Sequence, residues 1–167
     1  SLPFMLSSLK LSFSDAFFES MSGITTTGST VILDLDSSPK SILIWRAIMQ
    51  WLGGVGIIVM ATTVLPLLKV GGMQFFKTDS SGTEKILPKT IEVATIIITI
   101  YVILTFACGL AYWLQGMNIF DSIAHSFTTL ATGGFSTHNE SIGYFKNPGI
   151  EITATLFIIL GSIPFIA

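Results

Sequence analysis

The sequence predicts an all-α membrane protein in which two short helices enter the membrane and turn back between longer spanning helices. Of its 167 residues, 50% are hydrophobic and only 11% are charged, and the mean hydropathy is +0.76, whereas about a quarter of a soluble domain is charged. Two uncharged runs, 47–68 and 93–120, are long enough to cross a hydrocarbon core of about 30 Å. Residues 12–31 and 118–137 repeat each other without a gap. Together these observations indicate a helical membrane protein with an internal repeat.

Each repeated segment predicts a short helix followed by an extended strand. Ser12 precedes Asp15 by three residues, and Asn118 precedes Asp121 in the same way. A Ser or Asn followed by an acid near the positive end of the helix dipole is typical of a helix start. We expect the short helices, and the Thr/Gly segments that follow them, at about 14–24 and 26–30 in the first copy and at about 120–131 and 132–136 in the second.

The two short helices are expected to be re-entrant. Each is too short to span a membrane and too apolar for a solvated loop, and apolar-leaning segments of about 10 to 14 residues are often re-entrant or interfacial. A single Gly/Ser/Thr cluster between apolar runs is usually a surface turn, but that interpretation does not account for two matched copies. Backbone that is not helical is tolerated at membrane depth only where protein or a water-filled path satisfies it. The repeat therefore predicts a polar path through the membrane.

The composition of the Thr/Gly segments predicts that this path conducts a monovalent cation. Moving a unit charge out of water costs on the order of 20 kcal/mol by the idealised Born estimate, so oxygen atoms of the protein must replace those of water. Glycine allows successive carbonyls to point toward one axis, and threonine can add a hydroxyl. Neither segment contains an acid, so a carbonyl-lined filter is favoured over a ring of carboxylates. The candidate ion-binding residues are Thr26, Thr27, Gly28, Ser29, Thr132, Gly133, Gly134 and Phe135.

The basic residues predict the orientation of the chain. Half of the eight basic residues lie between the two uncharged runs, at Lys69, Lys77, Lys85 and Lys89. Because cytoplasmic loops are enriched in Lys and Arg, this connector is expected in the cytoplasm and both Thr/Gly segments toward the outside. An inner helix at about 41–68 then runs inward, an outer helix at about 90–115 runs outward, and a further inner helix starts near 149.

Several other residues have simple structural interpretations. Arg46 is expected at the outer membrane interface. His125 is expected to make a structural hydrogen bond behind the second Thr/Gly segment, and His138 to be a solvated loop histidine. Gly53 and Gly161 are expected to let both inner helices pack or bend at a similar depth.

The Thr/Gly segments resemble relaxed versions of the potassium-channel filter Thr-Val-Gly-Tyr-Gly. They read Thr26-Thr27-Gly28-Ser29-Thr30 and Thr132-Gly133-Gly134-Phe135-Ser136, and both keep the central glycine. This relaxation is typical of the Trk/Ktr/HKT superfamily of potassium-uptake proteins. Longer sequence segments resemble the TrkH type in particular, at residues 15–30, 45–58, 70–74 and 131–139.

The resemblance implies a potassium-channel-like fold of repeats, each with an outer helix, a pore loop and an inner helix. Four such repeats on one polypeptide would surround one pore, and two polypeptides would form a homodimer. The short helices are then pore helices, and the Thr/Gly segments are the extended strands of a selectivity filter that binds potassium. Residues 1–70 correspond to the first repeat without its outer helix, 71–89 to a cytoplasmic connector, and 90–167 to the second repeat with an incomplete inner helix. The sequence is accordingly expected to be a fragment.

The function implied by the resemblance is uptake of potassium across the inner (plasma) membrane by a multi-pass protein in contact with lipid. No cofactor is expected on this chain, which contains no phosphate-binding Gly-x-x-x-x-Gly-Lys motif. The resemblance instead implies a cytoplasmic regulatory partner of the TrkA type, which would carry a nucleotide. The basic connector is a candidate docking site for that partner or an amphipathic segment at the lipid interface. A nucleic-acid partner is not expected at a net charge of -2.

Other classes of function stay open. The main alternative is a subunit of another monovalent-cation channel that conducts sodium and potassium. An intramembrane enzyme is disfavoured, because the chain has one Cys, two His and neither a His-Glu-x-x-His nor a Gly-x-Ser-x-Gly motif. A purely structural subunit would not require two matched loops, and a tetrameric two-helix channel would not carry two different filters.

Overall fold

The computed structural model describes residues 1–67 and 86–163, and this part of the chain is helical, without β-strands. Its helices are α1 (Leu2–Leu6), α2 (Phe13–Ile24), α3 (Lys40–Leu67), α4 (Ile86–Leu114), α5 (Ile119–Leu130) and α6 (Pro148–Ser162), with a 3-10 helix at Ser141–Phe145 between α5 and α6. The all-α fold class is confirmed. Most of the predicted cytoplasmic connector, with Lys77 and Lys85, lies outside the described residues. The same holds for Lys69 and for the TrkH-like segment at 70–74.

Helices α3 and α4 are long and apolar enough to cross a membrane, over Lys40–Met60 and Ala94–Leu114. Helix α6 is apolar but shorter. Large apolar side chains are exposed along α4, including Ile103 (61%) and Phe106 (80%). Such a surface is unfavourable in water and suits contact with lipid or with another apolar surface.

The helix that follows the connector starts earlier than predicted. The outer helix was expected at about 90–115, whereas α4 covers Ile86–Leu114. Pro88 lies in the first turn, where its missing N–H removes no hydrogen bond within the helix. The helix therefore includes the last residues of the predicted connector at 71–89.

The two short helices α2 and α5 begin where their caps predict. The Ser12 hydroxyl accepts a hydrogen bond from the Asp15 N–H (3.2 Å) and donates one to the Asp15 carboxylate (2.7 Å). Asn118 repeats this pattern, because its Oδ1 accepts from the Asp121 N–H (2.9 Å) and its Nδ2 donates to the carboxylate (2.6 Å). Each acid lies in the first turn, near the positive end of the helix dipole. The predicted helix starts are confirmed.

Helix α3 connects the two halves of the described structure. It packs against α2 in its own half and against α4 and α5 in the other, and α5 also packs against α4 and α6. One apolar core includes Phe4, Ile42 and Met49, and a second includes Tyr112 and Ile150. Because α3 contacts both short helices, it brings their C-terminal ends, and the Thr/Gly segments that follow, close together.

Candidate ion filter

The two Thr/Gly segments, residues 26–30 and 132–136, share an unusual backbone conformation. Thr26 and Thr132 have φ angles of +55° and +52°, and Gly28 and Gly134 have φ angles of +81° and +80°. All four angles are left-handed, and they occur at matching positions of the repeat. Glycine adopts this conformation freely, whereas a β-branched threonine does so rarely and at an energetic cost. The same costly conformation at the same place in both copies marks these segments as specialised.

The short helices fix the direction of the first carbonyl in each segment. The Thr27 N–H donates a hydrogen bond to the Ser22 carbonyl (3.0 Å), and the Gly133 N–H donates one to the Thr128 carbonyl (2.9 Å). In a planar trans peptide, an N–H and the carbonyl that precedes it point in opposite directions. The carbonyls of the two preceding threonines therefore point away from α2 and α5.

The two segments touch each other at glycine residues. A Cβ atom added to Gly28 would overlap the carbonyl oxygen of Gly133, so the segments meet backbone to backbone. A Cβ atom added to Gly133 would in turn overlap the side-chain carboxamide of Gln50 on α3. Glycine is required at position 28, where a backbone atom occupies the space of a side chain, whereas a side chain at position 133 would have to displace the carboxamide of Gln50.

The predicted ion-binding residues lie together in these adjoining segments, but their backbone groups are held differently. The Ser29 carbonyl accepts a hydrogen bond from the Ser22 hydroxyl (2.5 Å) and is turned toward α2. The Phe135 N–H donates to Gln50 Oε1 (3.1 Å), which points the Gly134 carbonyl away from α3. Gln50 therefore belongs to the site, although its sequence context did not reveal it.

Arg46 lies behind the second segment, so the prediction that it lies at the outer membrane interface is wrong. Its side chain is 1% exposed, and its Nε donates to Glu19 Oε1 (2.7 Å) while its Nη1 donates to the Ser136 carbonyl (3.1 Å). Its Cζ also lies 4.0 Å from the centre of the Phe135 ring. A carboxylate, a carbonyl and an aromatic face stabilise the buried guanidinium, whereas its Nη2 has no hydrogen-bond partner among the described residues.

Glu19, which was not predicted as part of the site, joins both segments. Besides its ion pair with Arg46, its fully buried carboxylate accepts hydrogen bonds from the Thr30 hydroxyl (2.9 and 3.0 Å) and the Val31 N–H (3.0 Å). The available signal in the sequence is its alignment with His125 in the repeat. An acid and a histidine at one position of two matched short helices indicate side chains that make specific polar contacts.

His125 makes the corresponding contacts in the second half. Its Nδ1 lies 2.9 Å from the Asp121 carbonyl, which can only accept, so Nδ1 carries a hydrogen. Its Nε2 lies 2.9 Å from the Ser136 hydroxyl, and the ring is buried. The predicted structural hydrogen bond behind the second segment is confirmed.

His138 is not the solvated loop histidine that the sequence predicts. Its side chain is 16% exposed, with Nδ1 2.6 Å from Asp36 Oδ1 and Nε2 3.1 Å from Asp121 Oδ2, and its ring stacks on Tyr144 at 3.6 Å. Burial raises the pKa of Asp121, but hydrogen bonds from Thr137 and His138 and the charge of His138 outweigh it and hold this pKa below its ordinary value. His138 therefore ties a loop of the first half to the start of α5.

Helices α3 and α6 pass the ends of the short helices at matching glycines. A Cβ atom on Gly53 would overlap the Ile24 carbonyl at the end of α2, and one on Gly161 would lie 2.7 Å from the Leu130 carbonyl oxygen at the end of α5. Ile24 and Leu130 occupy the same position of the repeat. The prediction that both helices pack at a similar depth at these glycines is confirmed.

Two helices long and apolar enough to span a membrane, two short capped helices and two matched Thr/Gly segments are features of a helical membrane protein. The TrkH family model, described as a cation transport protein, matches residues 1–166. The chain therefore belongs to the TrkH family of cation transport proteins.

Curated relatives carry the same family name or a closely related one. The chain is 50% identical over 163 residues to the Trk system potassium uptake protein TrkH of Escherichia coli (strain K12), covering 95% of this chain and 34% of the relative. It is 43% identical over 162 residues to the Trk system potassium uptake protein TrkG of the same strain, covering 95% and 33%. The chain thus spans about a third of the length of the curated relatives it matches.

The fold also has an experimental counterpart. The crystal structure of the potassium transporter TrkH from Vibrio parahaemolyticus matches with a TM-score of 0.82 at 46% sequence identity, over 95% of this chain and 31% of that chain. The predicted fold, an all-α membrane protein with potassium-channel-like repeats, is in agreement with this match.

Proposed function

We propose that this chain forms two walls of a carbonyl-lined selectivity filter in a Trk-type transporter that takes up potassium across the cell membrane. The observation that carries the proposal is the pair of left-handed residues in each Thr/Gly segment, with φ of +55° and +81° in the first and +52° and +80° in the second. In a regular strand successive backbone groups alternate in direction, and left-handed residues at alternate positions break this alternation so that neighbouring carbonyls can face one side. The names of the relatives, which are potassium uptake proteins and a potassium transporter, support potassium as the ion.

The proposal assigns the ion to carbonyl oxygens that point away from the surrounding helices. Those of Thr26, Thr132 and Gly134 do so, because the N–H that follows each one is bonded to a helix on the opposite side. Such carbonyls replace the water oxygens of a dehydrated potassium ion and supply negative potential without net charge. The other members of the predicted set complete the two segments: Thr27, Gly28, Ser29, Gly133 and Phe135.

The ends of the short helices support a cation in this place. Helices α2 and α5 both end immediately before a Thr/Gly segment, so the negative ends of their dipoles lie next to the proposed ion path. Fixed dipoles of this kind stabilise a charge without having to reorganise when it arrives. The ion is therefore attracted although the segments themselves contain no acid.

The same proposal covers the complete transporter. Residues 1–70 and 90–167 would be parts of two of four pore repeats around one pore, and the protein would form a homodimer in the inner membrane. The connector at 71–89 would lie in the cytoplasm, where a TrkA-type partner that binds the nucleotide would contact it. Charge reversal at Lys77 and Lys85 in the full-length protein is expected to lower co-purification of that partner while membrane insertion stays normal.

Serine substitutions at the left-handed glycines test the filter assignment. Gly28→Ser and Gly134→Ser in the full-length protein are expected to lower discrimination of potassium over sodium by about tenfold or more, because both disturb oxygens proposed to bind the ion. Potassium-dependent growth and sodium uptake are measured in a strain that lacks its own potassium transporters. Gly143→Ser is the matched control, because a Cβ at Gly143 meets no atom within 4 Å and its φ angle, unlike those of Gly28 and Gly134, is not left-handed. Unchanged selectivity in both filter variants would refute the assignment.

The orientation has a separate test. Cysteines introduced at Asp34 and Asn139, both exposed, are expected to react with an impermeant reagent added outside sealed cells, and a cysteine at position 83 is not. The native Cys108 is buried and gives little background reaction. Labelling at position 83 from outside would reverse the proposed orientation.

A further inference from the structure

We propose that Arg46 and Gln50 are positioning residues that set the ion preference of the second Thr/Gly segment from the other half of the chain. This inference rests on the proposed function of that segment. The two residues lie one turn apart on α3, and their side chains are 1% and 0% exposed. Gln50 Oε1 accepts the Phe135 N–H (3.1 Å), and Arg46 Nη1 donates to the Ser136 carbonyl (3.1 Å). Together the two side chains hold the backbone on both sides of Phe135.

Gln50 controls the direction of one proposed ion-binding oxygen. Its hydrogen bond draws the Phe135 N–H toward α3, so the Gly134 carbonyl on the same peptide unit points away from α3. If the acceptor is removed, a buried N–H is left without a partner, which is unfavourable. The peptide between residues 134 and 135 can relieve this by rotating, and rotation turns the Gly134 oxygen out of the proposed ion path.

Arg46 fixes the far end of the same segment without leaving a net charge beside the ion. Its guanidinium would repel a cation if it were unpaired, but Glu19 lies 2.7 Å away and neutralises it. Glu19 also accepts hydrogen bonds from Thr30 and Val31 at the end of the first segment. The ion pair therefore couples the ends of both segments, so that a change in one is transmitted to the other.

The second half of the chain lacks these polar side chains at the corresponding positions. Gly53 and Gly161, which lie against matching carbonyls, align α3 with α6. In this alignment Arg46 corresponds to Ala154 and Gln50 to Ile158, both apolar. The Arg46–Gln50 pair is thus a feature of α3 and not a general requirement for an inner helix to pack against a filter.

The test is the ratio of potassium flux to sodium flux through the full-length protein in proteoliposomes, measured per amount of folded protein. Gln50→Met removes the acceptor at a similar volume, and we expect the ratio to fall about fivefold, the factor typical of one net hydrogen bond. Gln50→Glu keeps an acceptor oxygen and is expected to restore most of the ratio. Gln115→Met is the matched control, because it removes a glutamine just beyond the end of α4 that donates to the Thr153 hydroxyl on α6 (2.7 Å), and it should leave the ratio unchanged.

Arg46→Lys tests the other member of the pair. It keeps the charge but cannot reproduce the two directed hydrogen bonds of the guanidinium, so the ratio is again expected to fall. Wild-type ratios in Gln50→Met and Arg46→Lys, together with a loss in Gly134→Ser, would overturn the inference and leave the proposed function intact. Wild-type ratios in both Gly28→Ser and Gly134→Ser as well would refute the proposed function itself. Failure of both Gln50→Met and Arg46→Lys to insert would show that the pair serves the fold alone, which also overturns the inference.

Discussion

The two Thr/Gly segments have the same backbone conformation but are held by different side chains. The end of the first segment is held by Glu19, an acid on the short helix of its own half. The second is held by the ring of His125 in its own half and by Arg46 and Gln50 from the other half. One segment therefore depends on its own half of the chain, and the other depends on both.

This difference shows that the backbone conformation and its support are encoded separately. The repeat preserves what the backbone requires. Each copy has a capped short helix, a left-handed threonine and a left-handed glycine two residues after that threonine. The supporting side chains are free to differ as long as each finds a complementary partner. An acid in the first half is acceptable because a guanidinium from α3 lies beside it.

The largest effect is expected from removing the acid of the ion pair. Glu19→Gln leaves the buried Arg46 without a counter-charge, and we expect a loss of about 3–5 kcal/mol in the free energy of unfolding. Neutralising both partners, in Glu19→Gln with Arg46→Gln, should recover a large part of that loss. The measurement is denaturant-induced unfolding of the purified full-length protein. A double variant less stable than Glu19→Gln alone would contradict the proposed charge balance.

Alanine at the two packing glycines is expected to lower stability in both halves, and more at Gly53, whose added Cβ would lie closer to the facing carbonyl. Gly53→Ala and Gly161→Ala each place a methyl group against the end of a short helix, which we expect to lower stability by about 1–3 kcal/mol. Gly56→Ala is the control, because its Cβ meets no atom within 4 Å and alanine favours a helix over glycine. Thermal unfolding compares the three variants. A loss of stability at only one of the two positions would show that α3 and α6 do not pack against the short helices in the same way.

A smaller effect is expected from the histidine that corresponds to Glu19. His125→Asn can keep a polar atom near the Asp121 carbonyl but cannot reach the Ser136 hydroxyl, so it loses about one hydrogen bond, or about 1 kcal/mol. No uncompensated charge remains. If His125→Asn proves as damaging as Glu19→Gln, the two supports do not differ in the way described above.

The smallest effect is expected from lowering the pH, which protonates Asp121. The pKa of Asp121 is held below its ordinary value of 3.8, so its contribution to stability is complete above that pH and is lost as the pH falls through the lowered pKa. Asp121→Asn should therefore unfold with a weaker dependence on pH below about pH 4, with a difference of under about 1 kcal/mol. Melting temperatures at pH 3 to 6, compared between the two proteins, test this, and equal slopes would exclude Asp121 as the cause.

Local features of the fold were predictable because their signals lie within a few residues of each other. The caps at Ser12 and Asn118 bond to acids three residues away, and the spanning helices follow from uncharged runs. Residues 86–89, which were predicted to belong to the connector, lie in α4, where Pro88 is tolerated in the first turn.

The supports of the candidate site were not predictable from local pattern. Gln50 and Phe135 are 85 residues apart, Arg46 and Ser136 are 90 apart, and the loop contact of His138 spans 102 residues. A lone arginine in an apolar helix is ordinarily an interfacial residue, and only the folded chain brings Glu19 beside it. The backbone of the site was therefore readable in the repeat, but its long-range contacts were not.

Anomalous scattering from thallium, a monovalent substitute for potassium, tests the central claim most directly. In crystals of the full-length protein, the account predicts thallium peaks in contact with backbone carbonyls of both Thr/Gly segments, including those of Thr26, Thr132 and Gly134. Peaks found only at the carboxylates of Asp36 and Asp121, with none along the two segments, would contradict it.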